Sequence, residues 1–209
     1  MSSRVLSILV FFFGANAFAG YIVEPSLGVQ GATGSTPFTY QYGSTVYKYN
    51  QQSLPVGLAL KYKNSKDWVF GVMGEYYSNG YLTAQTTNQF AQDTFHRTII
   101  RAIIGYEGAH GIRVFAGYDF MNNITNTPAA SNPNDFTALN GTGYALGVGW
   151  KFMNHVAINA GYDIPSSTPS SITPAGGSTA TFTGTTYNSF STTGIWNINL
   201  SFPMGSDAK

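Results

Sequence analysis

The chain contains no cysteine, and only 9% of its 209 residues carry charge. The first absence excludes disulfides, so stability has to come from elsewhere. The second departs from a soluble domain, in which roughly 25% of residues are charged. A soluble fold of this size covers its outside with Lys, Arg, Asp and Glu, and this chain has too few of them. Long hydrophobic runs are missing too. No internal segment has the roughly 18 apolar residues that span a bilayer as a helix. What remains is a sheet that sets its own apolar face against lipid.

Aromatic residues are plentiful at 15%, with 14 Tyr and 15 Phe, alongside 24 Gly. The N-terminus, "MSSRVLSILVFFFGANAFAG", has one positive charge at Arg4, an apolar run from Val5 to Phe13, and a small-residue site at Ala17-Phe18-Ala19. That three-part build is a secretory signal peptide, too short for a transmembrane anchor. Residues 1–19 are therefore expected to be removed. Taking Arg4 from the ten basic residues leaves nine against nine acidic ones. A net charge near zero argues against nucleic acid and against a polybasic membrane patch.

From Gly20 onward, apolar side chains fall on every second position in eight segments. Successive side chains of a strand point to opposite faces, so each segment is expected to be a strand with one apolar face. The strands start at Tyr21, Leu54, Trp68, Thr94, Ile112, Gly143, Val156 and Gly194, and the last runs to Phe202. Their connections alternate in length. Short turns occupy Asn64–Asp67, Glu107–Gly111 and Met153–His155; long connections fill about 33–53, 79–93, 122–135 and 165–187. The pattern predicts an all-β fold: an eight-stranded antiparallel up-and-down transmembrane β-barrel over residues 20–203, with a short C-terminal tail at 204–209. Short turns on one side and long loops on the other suit an outer-membrane barrel, whose even strand count puts both termini in the periplasm.

The face opposite the apolar one is small or weakly polar, with occasional charges. It suits the crowded lumen of an eight-stranded barrel, which side chains just fill. The alternative, a soluble lipocalin-like barrel with reversed faces, lacks the charge to coat itself. Tyr62, Trp68, Tyr106, Trp150 and Phe202 fall at the short-turn ends, where an aromatic girdle belongs.

The chain resembles the small eight-stranded outer-membrane barrels of the OmpA/OmpX/OmpW-like group. The most specific piece is the final strand, "TGIWNINLSF", with Gly194 followed by alternating Trp196, Ile198, Leu200 and Phe202. The resemblance implies a bacterial outer-membrane location and recognition of that strand by the barrel-assembly machinery. Family strands often end on the terminal aromatic, whereas "PMGSDAK" follows Phe202 here. No peptidoglycan-binding domain is expected.

Three sets of residues are candidates for function. Glu24, Glu75, Arg97, Arg101, Arg113, Asp119 and Asp163 share the expected lumen with Lys61 and Lys151. Buried charges need partners, so the plain expectation is a structural ion-pair network. The resemblance implies a sharper role for Glu75, Arg97, Arg101 and Asp119, a gate that switches pairings around a narrow pore. Phe38, Tyr40, Tyr42, Tyr47 and Tyr49 make the first long connection aromatic. They either pack on each other at the membrane surface or form a recognition surface. Enzyme chemistry is expected to be absent. His96 with Thr98 is a poor copy of the His and Ser used by lipid-modifying barrels, and His110 and His155 have no metal spacing. No cofactor is expected. The leading expectation is a non-enzymatic barrel with a structural or surface-interaction role, in contact with membrane lipids and with at most a narrow gated pore. The rival is a porin-like barrel, or a homo-oligomer of barrels, that binds or encloses lipid or a small apolar molecule.

Overall fold

The computed structural model describes residues 20–32, 38–42, 45–85, 90–127, 136–165, 171–174, 187–192 and 194–205. The expected signal peptide, most of the fourth long connection, and residues 206–209 of the expected tail lie outside them. The described strands are β1 (Tyr21–Ala32), β2 (Phe38–Tyr42), β3 (Thr45–Lys63), β4 (Trp68–Gln85), β5 (Phe90–Glu107), β6 (Ile112–Thr127), β7 (Phe136–Met153), β8 (Val156–Pro165), β9 (Ser171–Pro174), β10 (Tyr187–Thr192), β11 (Ile195–Ser201) and β12 (Met204–Gly205). Eight of them form a ring in the order β1, β3, β4, β5, β6, β7, β8, β11. It closes because β1 pairs antiparallel with β3 on one side and β11 on the other.

The short turns are built locally. Asn64 Oδ1 accepts from the N–H groups of Lys66 and Trp68 at 2.9 and 3.0 Å, which reverses the chain over four residues. Asp67 takes the left-handed conformation (φ 64°) that Asp tolerates better than most residues. Gly111 (φ 76°) does the same in the second turn, where a Cβ would run into the Lys151 carbonyl.

The strands outgrow the expected ones at the long-connection side. β3, β4, β5 and β7 have 19, 18, 18 and 18 residues, against the roughly 9–11 that cross a bilayer. Most of the connections expected at 33–53 and 79–93 is therefore strand, as β2 and β10 lengthen the sheet beside β3 and β9 lies beside β7. These segments are rich in Tyr and Thr, with several Phe, which favour a pleated backbone, and that preference carries on past the membrane. At the other end, β11 stops at Ser201, one residue before Phe202. Pro203 has no N–H to donate to a ladder. Phe202 is half-buried just beyond the strand, where its N–H still donates to Pro25 O at 2.9 Å. Met204 and Gly205 then rejoin the sheet opposite Val23 and Ile22, so two residues of the expected tail are paired.

The faces divide sharply. Leu58, Leu60, Val72, Ile104, Val114, Leu146, Val148, Ile158 and Ile198 are exposed on the outer wall, while Glu24, Lys61, Arg97, Arg101, Asp119 and Asp163 are buried inside. In water that arrangement would be inverted; in hydrocarbon it is what burial of polar groups requires. Two aromatic rings bracket the apolar band. Toward the short turns lie Tyr21 against Tyr62 (5.4 Å between ring centres), Trp68 against Tyr106 (6.1 Å) and Trp150 against Phe152 (5.8 Å). Toward the long side lie Tyr76, Tyr118, Tyr144, Tyr162 and Trp196, all exposed, a second ring that the sequence pattern had not singled out. Several ladders carry register shifts, and the one that re-aims lumen residues lies in β6. Register shifts between Asp119 and Met121 on the β5 ladder and between Asp119 and Asn122 on the β7 ladder, so the inward set passes from 113, 115, 117 and 119 to 122, 124 and 126. A bulge of this kind re-aims side chains without breaking the wall.

Leu146 is 55% exposed between Tyr144 and Trp150, at mid-wall. Leu146→Arg is expected to lower stability in micelles or bilayers by about 2–4 kcal/mol, and Met153→Arg, near the interface, by about 0–1 kcal/mol. Urea titration checks both; equal small losses would show that the wall does not face hydrocarbon.

Candidate functional site

Alternation sends the odd-numbered residues of β3, β4 and β5 into the ring, and with them most of the barrel's charge. The charged side chains sort into two layers. In the layer nearer the short turns, Arg113 of β6 reaches across the lumen to Glu24 of β1, on the opposite side of the ring. Two parallel hydrogen bonds join them, Nη1 to Oε1 at 2.8 Å and Nη2 to Oε2 at 2.6 Å. Lys61 of β3 also pairs with Glu24. Arg113 Nε lies 3.1 Å from Glu107 Oε2, and Lys151 Nζ lies 2.6 Å from Glu107 Oε1. Asn159 and Ser201 complete the shell around Arg113 Nη1, both at 3.4 Å.

The second layer centres on Arg101 of β5. Its Nε donates to Asp119 Oδ1 at 2.5 Å and its Nη2 to Asp163 Oδ1 at 2.7 Å; Nη1 lies 3.7 Å from Glu75 Oε2. One guanidinium thus holds carboxylates from β4, β6 and β8. Arg97 meets neutral groups instead: it donates to Asn122 Oδ1 at 2.8 Å and lies 5.3 Å from the centre of the Tyr77 ring. Tyr77 donates to Glu75 at 3.1 Å, and Asn122 Nδ2 to Asp119 at 3.3 Å, which links Arg97 to the acids through two neutral side chains. The β6 bulge is what turns Asn122 inward for this.

Neither layer is neutral by formal charge. Glu75, Asp119 and Asp163 against Arg97 and Arg101 leave −1; Glu24 and Glu107 against Lys61, Arg113 and Lys151 leave +1. Together the ten charges cancel. Moving an ion from water to a protein interior costs several kcal/mol, which only good pairing offsets, and here most partners make more than one contact. Tyr77, Ile99 and Ile124 are buried within the second layer, beside Arg97 and Glu75, and Phe95 is buried beyond it. Around the first layer lies a cavity of about 60 Å³, bounded toward the second by Met73, Ile103 and Phe115.

All seven expected lumen residues and Lys61 are buried, and Lys151 lies close to the mouth. Glu107, assigned from sequence to a turn, is the last residue of β5 and sits inside. The signal was available, because the inward set of β5 runs 97, 99, 101 and onward to 107. Lys63, Asn122 and Tyr77 were also passed over. Tyr62, Trp68, Tyr106 and Trp150 lie on the outer wall. Phe38, Tyr40 and Tyr42 stand on β2 and Tyr47 and Tyr49 on β3, where sequence suggested a loop. Register sets Phe38 opposite Tyr49 and Tyr40 opposite Tyr47. His96 and Tyr76 are stacked on the outer wall with the Tyr76 hydroxyl 3.2 Å from His96 Nδ1. His155 Nδ1 lies 3.1 Å from the Pro203 carbonyl in a short turn. No cluster of three potential metal ligands occurs among the described residues.

Among solved structures, the outer-membrane protein OprG from Pseudomonas aeruginosa is similar over 90% of this chain and 97% of its own, with a TM-score of 0.59 and 12% identity. The fold is that of a small eight-stranded outer-membrane barrel. Neisserial surface protein A (11% identity; 89% of this chain and 97% of that one) and Ail, the attachment invasion locus protein of Yersinia pestis (12% identity; 90% and 100%), align at a TM-score of 0.44. No family model and no curated protein matches the sequence.

In this barrel Arg101 is the cation on which three buried carboxylates depend. Arg101→Met is expected to cost about 3–5 kcal/mol, since it strands charges in the interior. Lys66→Met, at an exposed position of the first short turn, is expected to change stability by about 0.5 kcal/mol or less. Equilibrium unfolding in detergent measures both, and equal costs would contradict the layer described.

Proposed function

We propose that the chain is a non-enzymatic barrel of the bacterial outer membrane, with a structural or surface-interaction role and at most a narrow gated pore. One observation carries this reading: ion pairs cross the lumen at two levels, and the cavity around the lower one is only about 60 Å³. A sugar or amino acid needs far more room than that. Eight strands leave an interior that side chains fill, so charge placed there acts as a plug. Arg101, held by three acids, is the group whose exchange of partners would open a path. Among the described residues the outer-wall His96 bonds to Tyr76 and no acid is arranged with it, which is why catalysis has no place in the proposal.

The test is flux. The protein inserted in planar bilayers is expected to show rare, small conductance steps, and liposomes containing it are expected to exclude sugars. Steady open conductance, or swelling in sugar solutions, would overturn the reading.

A second reading, binding of lipid or of a small apolar molecule, is favoured by backbone register. Phe38, Tyr40 and Tyr42 stand opposite Tyr49, Tyr47 and Thr45 on one side, and opposite Thr192, Phe190 and Tyr187 on the other. Three strands thus bring seven aromatic positions into neighbouring rows. Native mass measurement on gently extracted protein separates the readings. A lipid-free monomer favours the first; an oligomer or monomer carrying lipid favours the second.

A further inference from the structure

The inward column of β6 runs Arg113, Phe115, Gly117 and Asp119 from the short-turn end upward. Its first residue belongs to one ion-pair layer and its last to the other. Phe115 lies between them, the one aromatic ring in the column. Register places it between Gly105 of β5 and Gly147 of β7, and Gly147 in turn faces Gly161 of β8. No neighbouring strand presents a side chain at that level on either flank. The ring takes up the space this leaves: a Cβ at Gly147 would overlap it, and one at Gly105 would come within 3.2 Å of the Phe115 Cβ. Directly above, the aliphatic stem of Arg101 covers Gly117.

The cavity surrounds the lower layer, with Glu24, Lys61, Glu107 and Arg113 on it, and the rest of its lining is unequal. Ser26, Asn159, Asn199 and Ser201 supply polar groups, whereas Met73, Ile103 and Phe115 are apolar. Its volume of about 60 Å³ holds a few waters, at roughly 10–15 Å³ of such volume each. Phe115 is only half-buried although it faces inward, because it borders this space.

We propose that the Phe115 ring is the permeation barrier of the lumen. Charged side chains let water and ions pass when they exchange partners, whereas an apolar constriction excludes both by dewetting. The ring, with Met73 and Ile103 on the same cavity, closes the step between the two layers. Ions cross only when it leaves the glycine strip of β7. This rests on the plugged-barrel reading and adds that the ion pairs by themselves are not the barrier.

The absence of cysteine makes the test clean. Ser26→Cys places a single thiol in the cavity, and a membrane-impermeant charged thiol reagent added only on the long-connection side then reports passage beyond the level of Phe115. Reaction rate and bilayer conductance are measured for Ser26→Cys alone and combined with Phe115→Ala or Phe115→Leu, with far-UV circular dichroism to verify the fold. Phe115→Ala is expected to raise both readouts severalfold, and Phe115→Leu, which keeps an apolar group of similar reach, to leave them near the parent. If Phe115→Ala does not fold, Phe115→Val takes its place with a smaller expected gain. Unchanged labelling and conductance in a folded Ala or Val variant would overturn the inference, as would a Leu variant as leaky as Ala. Rapid labelling and steady conductance in the parent would instead defeat the plugged-barrel reading itself.

Discussion

In hydrocarbon, an unpaired peptide group has no water to turn to and costs several kcal/mol. Every other feature of this barrel depends on that constraint. A sheet with apolar side chains on one face can enter a bilayer only if its edges are joined, and β1 joins them by pairing with β3 and β11. Closure then leaves each strand with two different surroundings. The outer face meets lipid and is apolar between two aromatic rings. The inner face is enclosed by eight strands and cannot hold bulk water.

Such a lumen has to be filled by the side chains the strands supply, and these come in unequal sizes. β7 presents Gly143, Ala145, Gly147 and Gly149 inward, so its side of the lumen is nearly bare. Long residues from other strands fill that room. Arg113 spans the ring to Glu24, Phe115 occupies the place beside Gly147, and the Arg101 stem covers Gly117. Charges thereby meet partners from distant parts of the chain, and two layers of opposite formal charge form with an apolar step between them. The interior is a plug because the small residues and the long ones are matched across the ring.

Much of this was legible in sequence because period two is a local property. Leu58, Val72, Val148 and Ile158 announce an outward face within their own segments, and Arg97, Arg101, Arg113 and Asp119 fall on the opposite parity without reference to any partner. Legibility failed where the partner decides. The "YDFMNN" stretch around Phe120 and Met121 carries no mark of a bulge; only its fixed pairing with β5 and β7 shows that one residue is extra, and so that Asn122 faces Arg97. Glu107 looked like part of a turn because Gly108 and Gly111 follow it. The continuing parity of β5 was the better guide, since a carboxylate beside Arg113 and Lys151 is stabilised inside. Phe38 to Tyr49 looked like a loop because its composition is polar and aromatic. Tyr and Thr suit strands as well, and pairing with β4 and β10 decided between the two.

The sequence by itself determined the class of the molecule. With 9% charge, no cysteine and alternation in eight segments, the chain has no way to satisfy its backbone and hide its apolar face except as a closed barrel in a membrane. Tertiary structure alone decided which charge answers which. Arg113 and Glu24 are 89 residues apart in the chain, and Arg101 and Asp163 are 62 apart. Their meeting depends on ring closure, register and one bulge, all set by pairing between strands, and local sequence carries no information about the far side of a barrel.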